Sequence, residues 1–144
     1  MTQTKYHLTR RLGLFSLVCA LLTPSPIGLW AQPPTPQVKI TGVPPAKPGG
    51  PVDMFRISGE VTGVQQPRDY AVVIYAFAGG QWFVQPYDYQ PKTAINNGRF
   101  QTVTHGGSAY AALLVKASFD PDKTMQALPT VGGDIVAIHS VDGK

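Results

Sequence analysis

The chain has 144 residues, with 12 Lys and Arg against 8 Asp and Glu, one cysteine and 14 prolines. That length supports one domain, and a single cysteine excludes a disulfide framework. Three of the basic residues, Lys5, Arg10 and Arg11, precede residue 31 and no acid does. The remainder stands at nine basic against eight acidic residues, which removes any charge signature for nucleic acid or an anionic membrane surface.

The amino end reads as an export signal. Lys5, His7, Arg10 and Arg11 make a charged start, Leu12 to Leu22 make an apolar middle, and Leu29-Trp30-Ala31 closes on a small residue before Gln32. The apolar run is too short to span a bilayer, which needs about 20 residues. Residues 1–31 are therefore expected to be a signal peptide cut after Ala31, with the mature chain secreted or periplasmic and without a stable membrane span. Two rival addresses are weaker. Cys19 as a lipidation site lacks the small residue usually found before it, and a twin-arginine signal rests on Arg10-Arg11 alone.

Residues 32–52 hold seven prolines from Pro33 to Pro51, together with Gly49-Gly50. They read as a Pro-rich linker, with Val38-Lys39-Ile40-Thr41 able to pair as one edge strand. From residue 53 to 144 the pattern is that of strands. Phe55, Ile57, Gly59 and Val61 alternate with polar residues, which predicts a strand wet on one face only. Tyr70 to Phe77 is apolar on both faces, as a central strand would be. Gly79-Gly80 predicts a hairpin into Gln81–Gln85. Asn96-Asn97-Gly98 predicts a second, between Thr93–Ile95 and Arg99–Val103. Tyr110 to Phe119 alternates again, Thr124 to Leu128 suits one helical turn, and Gly132-Gly133 leads into a last strand from Asp134 to Val141. Six to seven short strands separated by turn residues predict an all-β fold, an antiparallel β-sandwich of the immunoglobulin-like kind, with a small barrel as the competing architecture.

Several of these segments together resemble a known type of module. They are Tyr70-Ala71-Val72-Val73-Ile74-Tyr75, Trp82 with Pro86, Thr93-Ala94-Ile95, Gly98-Arg99-Phe100, and Gly106-Gly107 with Tyr110-Ala111-Ala112-Leu113. The pattern is similar to the immunoglobulin-like accessory modules attached to secreted bacterial glycoside hydrolases and cell-surface proteins, over roughly Ile40 to Val141. The resemblance implies a fold and a compartment, and no particular ligand. No catalytic domain accompanies the module in this sequence, which argues against a helper role in cis.

No residue pattern commits to a reaction, and neither an enzyme nor a cofactor is expected. His105 and Ser108 lie near each other in Thr104-His105-Gly106-Gly107-Ser108, but a nucleophilic triad needs an orienting acid that nothing local supplies. One glutamate and seven aspartates give no paired carboxylates for glycoside hydrolysis. No metal is expected. Asp120, Asp122 and Asp134 are a weak calcium candidate, for which turn-forming aspartates are the favoured explanation. The segment Gln81 to Tyr89 is the richest in information, with four aromatics in nine residues. On a strand, Trp82, Val84 and Pro86 share one face while Phe83, Gln85 and Tyr87 share the other, and only one set can be core. Trp82 is the better core candidate. Trp82, Gln85, Tyr87 and Tyr89 are together the candidate ligand-binding residues, of the composition that stacks on sugar rings or grips a protein. The expected function is a secreted, non-catalytic binding module for polysaccharide or another cell-surface component. The alternative is an envelope structural or assembly protein that docks a protein partner along the Trp82–Tyr89 edge, where Pro86 suggests a strand end.

Overall fold

The computed structural model describes residues 32–144, so the expected signal peptide over 1–31 lies outside the described residues. Nine strands follow in order: β1 (Gln37–Gly42), β2 (Gly50–Thr62), β3 (Tyr70–Ala78), β4 (Gln81–Gln85), β5 (Lys92–Thr93), β6 (Arg99–Gly106), β7 (Ala109–Lys116), β8 (Thr124–Met125) and β9 (Ile135–Asp142). Seven of them have five residues or more. One 3-10 turn, Pro67–Asp69, precedes β3.

The strands form two antiparallel sheets, one in the order β1-β2-β6 and one in the order β8-β4-β3-β7-β9 with β5 also paired to β3. The small sheet lies over the large one, β6 against β3 and β1 against β7 and β9. This is a β-sandwich, compatible with an immunoglobulin-like module. Alternation decides what goes inside. Val38, Ile40, Ile57, Val61 and Phe100 of the small sheet meet Val72, Ile74, Ala76, Tyr110, Ala112 and Leu114 of the large sheet in one cluster. Burying such side chains supplies about 1.5–3 kcal/mol each and is the main force holding the two layers together.

β3 and β7 are apolar on both faces because the large sheet is covered on both. On its outer side Ala71, Val73, Tyr75, Leu113 and Val115 form a second cluster, roofed by Phe119, Met125 and Leu128. The Tyr75 hydroxyl donates to the Asp122 carbonyl at 2.7 Å and pins this roof. Within it, Thr124–Met125 is a short strand on β4, where the sequence suggested a helical turn. Pairing with the edge of β4 wins because it satisfies backbone groups that a single turn would leave open.

The second expected hairpin is also different. The turn at Asn96–Arg99 forms, with reciprocal backbone bonds of 2.8 and 3.0 Å, but the strand before it, β5, pairs with β3. The chain crosses here from the large sheet to the small one, carrying Ile95 into the core between them.

The Pro-rich stretch contains the edge strand expected at Val38–Thr41, and its Val38 and Ile40 enter the core. Pro44 to Lys47 is held as well. Lys47 N donates to the Gly107 carbonyl and Ala46 N to that of Lys144. The buried Tyr110 hydroxyl accepts from Gly107 N at 3.0 Å and donates to the Pro45 carbonyl at 2.9 Å. Each open side of the sandwich is closed by one polar side chain reaching an edge N–H of the opposite sheet. His139 of β9 accepts from Ile40 N of β1 at 3.2 Å, and Gln85 of β4 accepts from His105 N of β6 at 2.8 Å.

Candidate binding cleft

The two sheets differ in width, and the difference makes the site. Beyond β6 the small sheet stops, while the large sheet continues to β4 and β8. The inner face of β4 therefore has no strand above it. A cleft of about 650 Å3 opens there, floored by Ala76, Ala78 and Phe83 and walled by Pro48–Pro51, Tyr87 and His105.

The register places each side chain. Trp82 pairs with Phe77 and Val84 with Tyr75, on the outer face. Phe83 pairs with Ala76 and Gln85 with Ile74, on the inner face. The even and odd positions of β4 thus separate, as alternation requires. Trp82 turns away from the cleft, packs on the outer cluster and tilts against Phe77 at 5.1 Å. It is core-packed, but on the far side of the large sheet and not between the sheets. Gln85, Tyr87 and Tyr89 come together. Gln85 is 4 % exposed at the base, Tyr87 is 41 % exposed on the wall, and Tyr89 is 76 % exposed. The two tyrosine rings stack at 5.1 Å, within 5° of parallel, and Tyr87 meets the His105 ring edge-on at 6.0 Å.

At the rim, Asp88 and Lys123 form an ion pair of 2.7 Å. The hydrogen bond and charge of Lys123 hold the Asp88 carboxyl below the usual range, and Asp88 raises the Lys123 ammonium in return. On the opposite wall Gly49 approaches the floor so closely that a Cβ there would lie 2.6 Å from that of Ala78, at a φ of +102°. A side chain at Gly49 would collide with the floor.

Phe83, His105, Asp88, Lys123 and the Pro48–Pro51 wall were not among the residues expected to bind. Phe83 shares strand parity with Gln85 and Tyr87, and that signal was available. Lys123 and the wall are brought in from distant segments, and no local pattern announces them.

The other candidates resolve differently. Among the described residues no group of three or more His, Cys, Asp and Glu is placed to hold a metal ion. Asp134 pairs instead with Lys116 at 3.1 Å, and Asp122 offers its carbonyl to Tyr75. The partner of the His105 ring is the Gln85 amide at 2.9 Å, not a carboxylate, and Ser108 Oγ donates to the Phe77 carbonyl at 3.3 Å. The edge of β4 is occupied: β8 pairs with Trp82 and Phe83, and Val84 N donates to the Lys123 carbonyl. Strand addition along Trp82–Tyr89 therefore meets an edge already paired at Trp82, Phe83 and Val84. No helix among the described residues is long and apolar enough to cross a membrane.

Comparison of the chain with family models, with curated proteins and with solved structures returns no match.

Proposed function

We propose that this protein is a secreted or periplasmic, non-catalytic binding module for polysaccharide, acting through the cleft beside β4. The reading agrees with the resemblance to accessory modules of secreted bacterial glycoside hydrolases, and it rests on the site itself. The observation that carries it is the stacked, exposed Tyr87–Tyr89 pair at the lip of a cleft floored by Phe83. Flat aromatic faces left in water cost free energy unless a ligand covers them, and a sugar ring presents apolar C–H faces with hydroxyls at its edge. The same rings joined to polar groups at the base suit a ligand of mixed character better than a purely apolar one. Against the assembly reading, the edge of β4 is already paired at Trp82 and Phe83 by β8.

Affinity electrophoresis of the full chain against a panel of polysaccharides tests this. Retardation by at least one polymer is expected, weakened about tenfold in Tyr87→Ala, the change that removes a central aromatic contact worth roughly 1.4 kcal/mol. Absence of retardation on every polymer would dismiss the reading.

A further inference from the structure

We infer that His105 is the specificity-determining residue of this cleft: it presents Nε2 as a hydrogen-bond acceptor, and the cleft therefore selects an uncharged, hydroxyl-donating glycan. The inference rests on the polysaccharide reading and deepens it.

The argument begins at Gln85. Its Oε1 lies 2.8 Å from the His105 backbone N, which can only donate, so the atom there must be the amide oxygen and not the amide nitrogen. The amide nitrogen in turn donates to the Phe83 carbonyl at 3.3 Å. The same Oε1 lies 2.9 Å from His105 Nδ1. An amide oxygen has no proton to give, so Nδ1 must carry one. In the neutral imidazole the remaining nitrogen, Nε2, is then a bare lone pair. No described residue hydrogen-bonds to Nε2, and no buried side-chain polar atom among the described residues lacks a partner, so Nε2 is open to solvent. The ring lines the cleft and is braced edge-on by Tyr87.

Charge points the same way. The ionised side chains on the cleft, Asp88 and Lys123, neutralise each other at 2.7 Å. Nothing is left over to recognise a carboxylate, sulfate or amine. An acceptor aimed at the ligand in a site without net charge accepts from a hydroxyl, and an anionic glycan would face the Nε2 lone pair with no cation to offset it.

Two measurements on the full chain decide it. Long-range 1H–15N spectra of the neutral ring are expected to show His105 protonated at Nδ1 and bare at Nε2, and Gln85→Leu is expected to lose that preference. In affinity electrophoresis, an uncharged glucan, xylan or galactomannan is expected to retard the protein more than polygalacturonate does. His105→Phe, which keeps a ring beside Tyr87, is expected to weaken that retardation about two- to tenfold, the loss of one hydrogen bond. A proton on Nε2 of the neutral ring, undiminished binding by His105→Phe, or preference for polygalacturonate overturns the inference while leaving the polysaccharide reading in place. Failure of every polymer to bind overturns both.

Discussion

At the level of single residues, the cleft is set by side chains that satisfy one another before any ligand arrives. Gln85 uses one oxygen for two donors of His105, which converts a mobile ring into a fixed one. Asp88 and Lys123 hold each other at the rim, and their titration follows from that contact. The folded Asp88 carboxyl sits below its usual range, so the stabilisation from the pair is complete above the pH at which an unfolded aspartate titrates. It is lost as pH falls through the lower, folded value. Lys123 is raised, so on the alkaline side the pair persists through the ordinary lysine range and is lost only above it. An NMR titration of the Asp88 carboxyl is expected to give a midpoint below that of an unpaired aspartate, returning to the ordinary range in Lys123→Ala. Both groups are exposed, and salt is expected to reduce the shift.

At the level of elements, what matters is which strand lies against which. β2 runs between β1 and β6, and its Gly59 sits where they crowd it: a Cβ there would strike the Lys39 carbonyl and the Phe100 ring. Gly59→Ala is expected to destabilise the fold by about 1–3 kcal/mol, the cost of overpacking a filled core, read as a lower urea midpoint. Much at this scale was legible beforehand. The alternation of Phe55–Val61, the two-sided apolar run Tyr70–Phe77 and the Gly79-Gly80 hairpin all follow from side-chain period and turn chemistry. The opposition of Trp82 to Phe83 on β4 was legible too, but which of the two faces a cleft was not. Strand parity separates faces without naming what covers them. A second buried layer on the large sheet, roofed by Phe119, Met125 and Leu128, accounts for Trp82 being core-packed and yet absent from the sandwich interior. The pairing of β5 with β3 and the strand β8 were not legible for a related reason, since such short pairings depend on the neighbour that meets them and leave no pattern of their own.

At the level of the whole molecule, the Pro-rich segment and the carboxyl end close on the sheets together. Lys144 N donates to the Pro44 carbonyl, Ala46 N to that of Lys144, and the Tyr110 hydroxyl bridges Gly107 and Pro45. Tyr110 is fully buried, and burial raises its phenol above the usual range. Tyr110→Phe keeps the ring but strands the Gly107 N–H and the Pro45 carbonyl. It is expected to cost about 1–3 kcal/mol, the desolvation penalty of unpaired backbone groups, measured by thermal or urea unfolding. Because Pro45 leads directly to the Pro48–Pro51 wall, faster hydrogen exchange at Lys47, Gly49 and Gly50 is expected in the same variant.

The amino-acid sequence by itself determined the class of fold, since alternate apolar residues bounded by glycine and proline have few ways to hide from water other than between two sheets. It also marked Tyr87, Tyr89 and Gln85 as candidates, because aromatic rings and amides crowd one short segment. Only the tertiary structure decided that Trp82 leaves the site and that Phe83, His105, Asp88 and Lys123 join it. The physical reason is distance along the chain: the Gln85–His105 bond spans 20 residues, and the cleft exists because one sheet is wider than the other. No local pattern of residues encodes that mismatch.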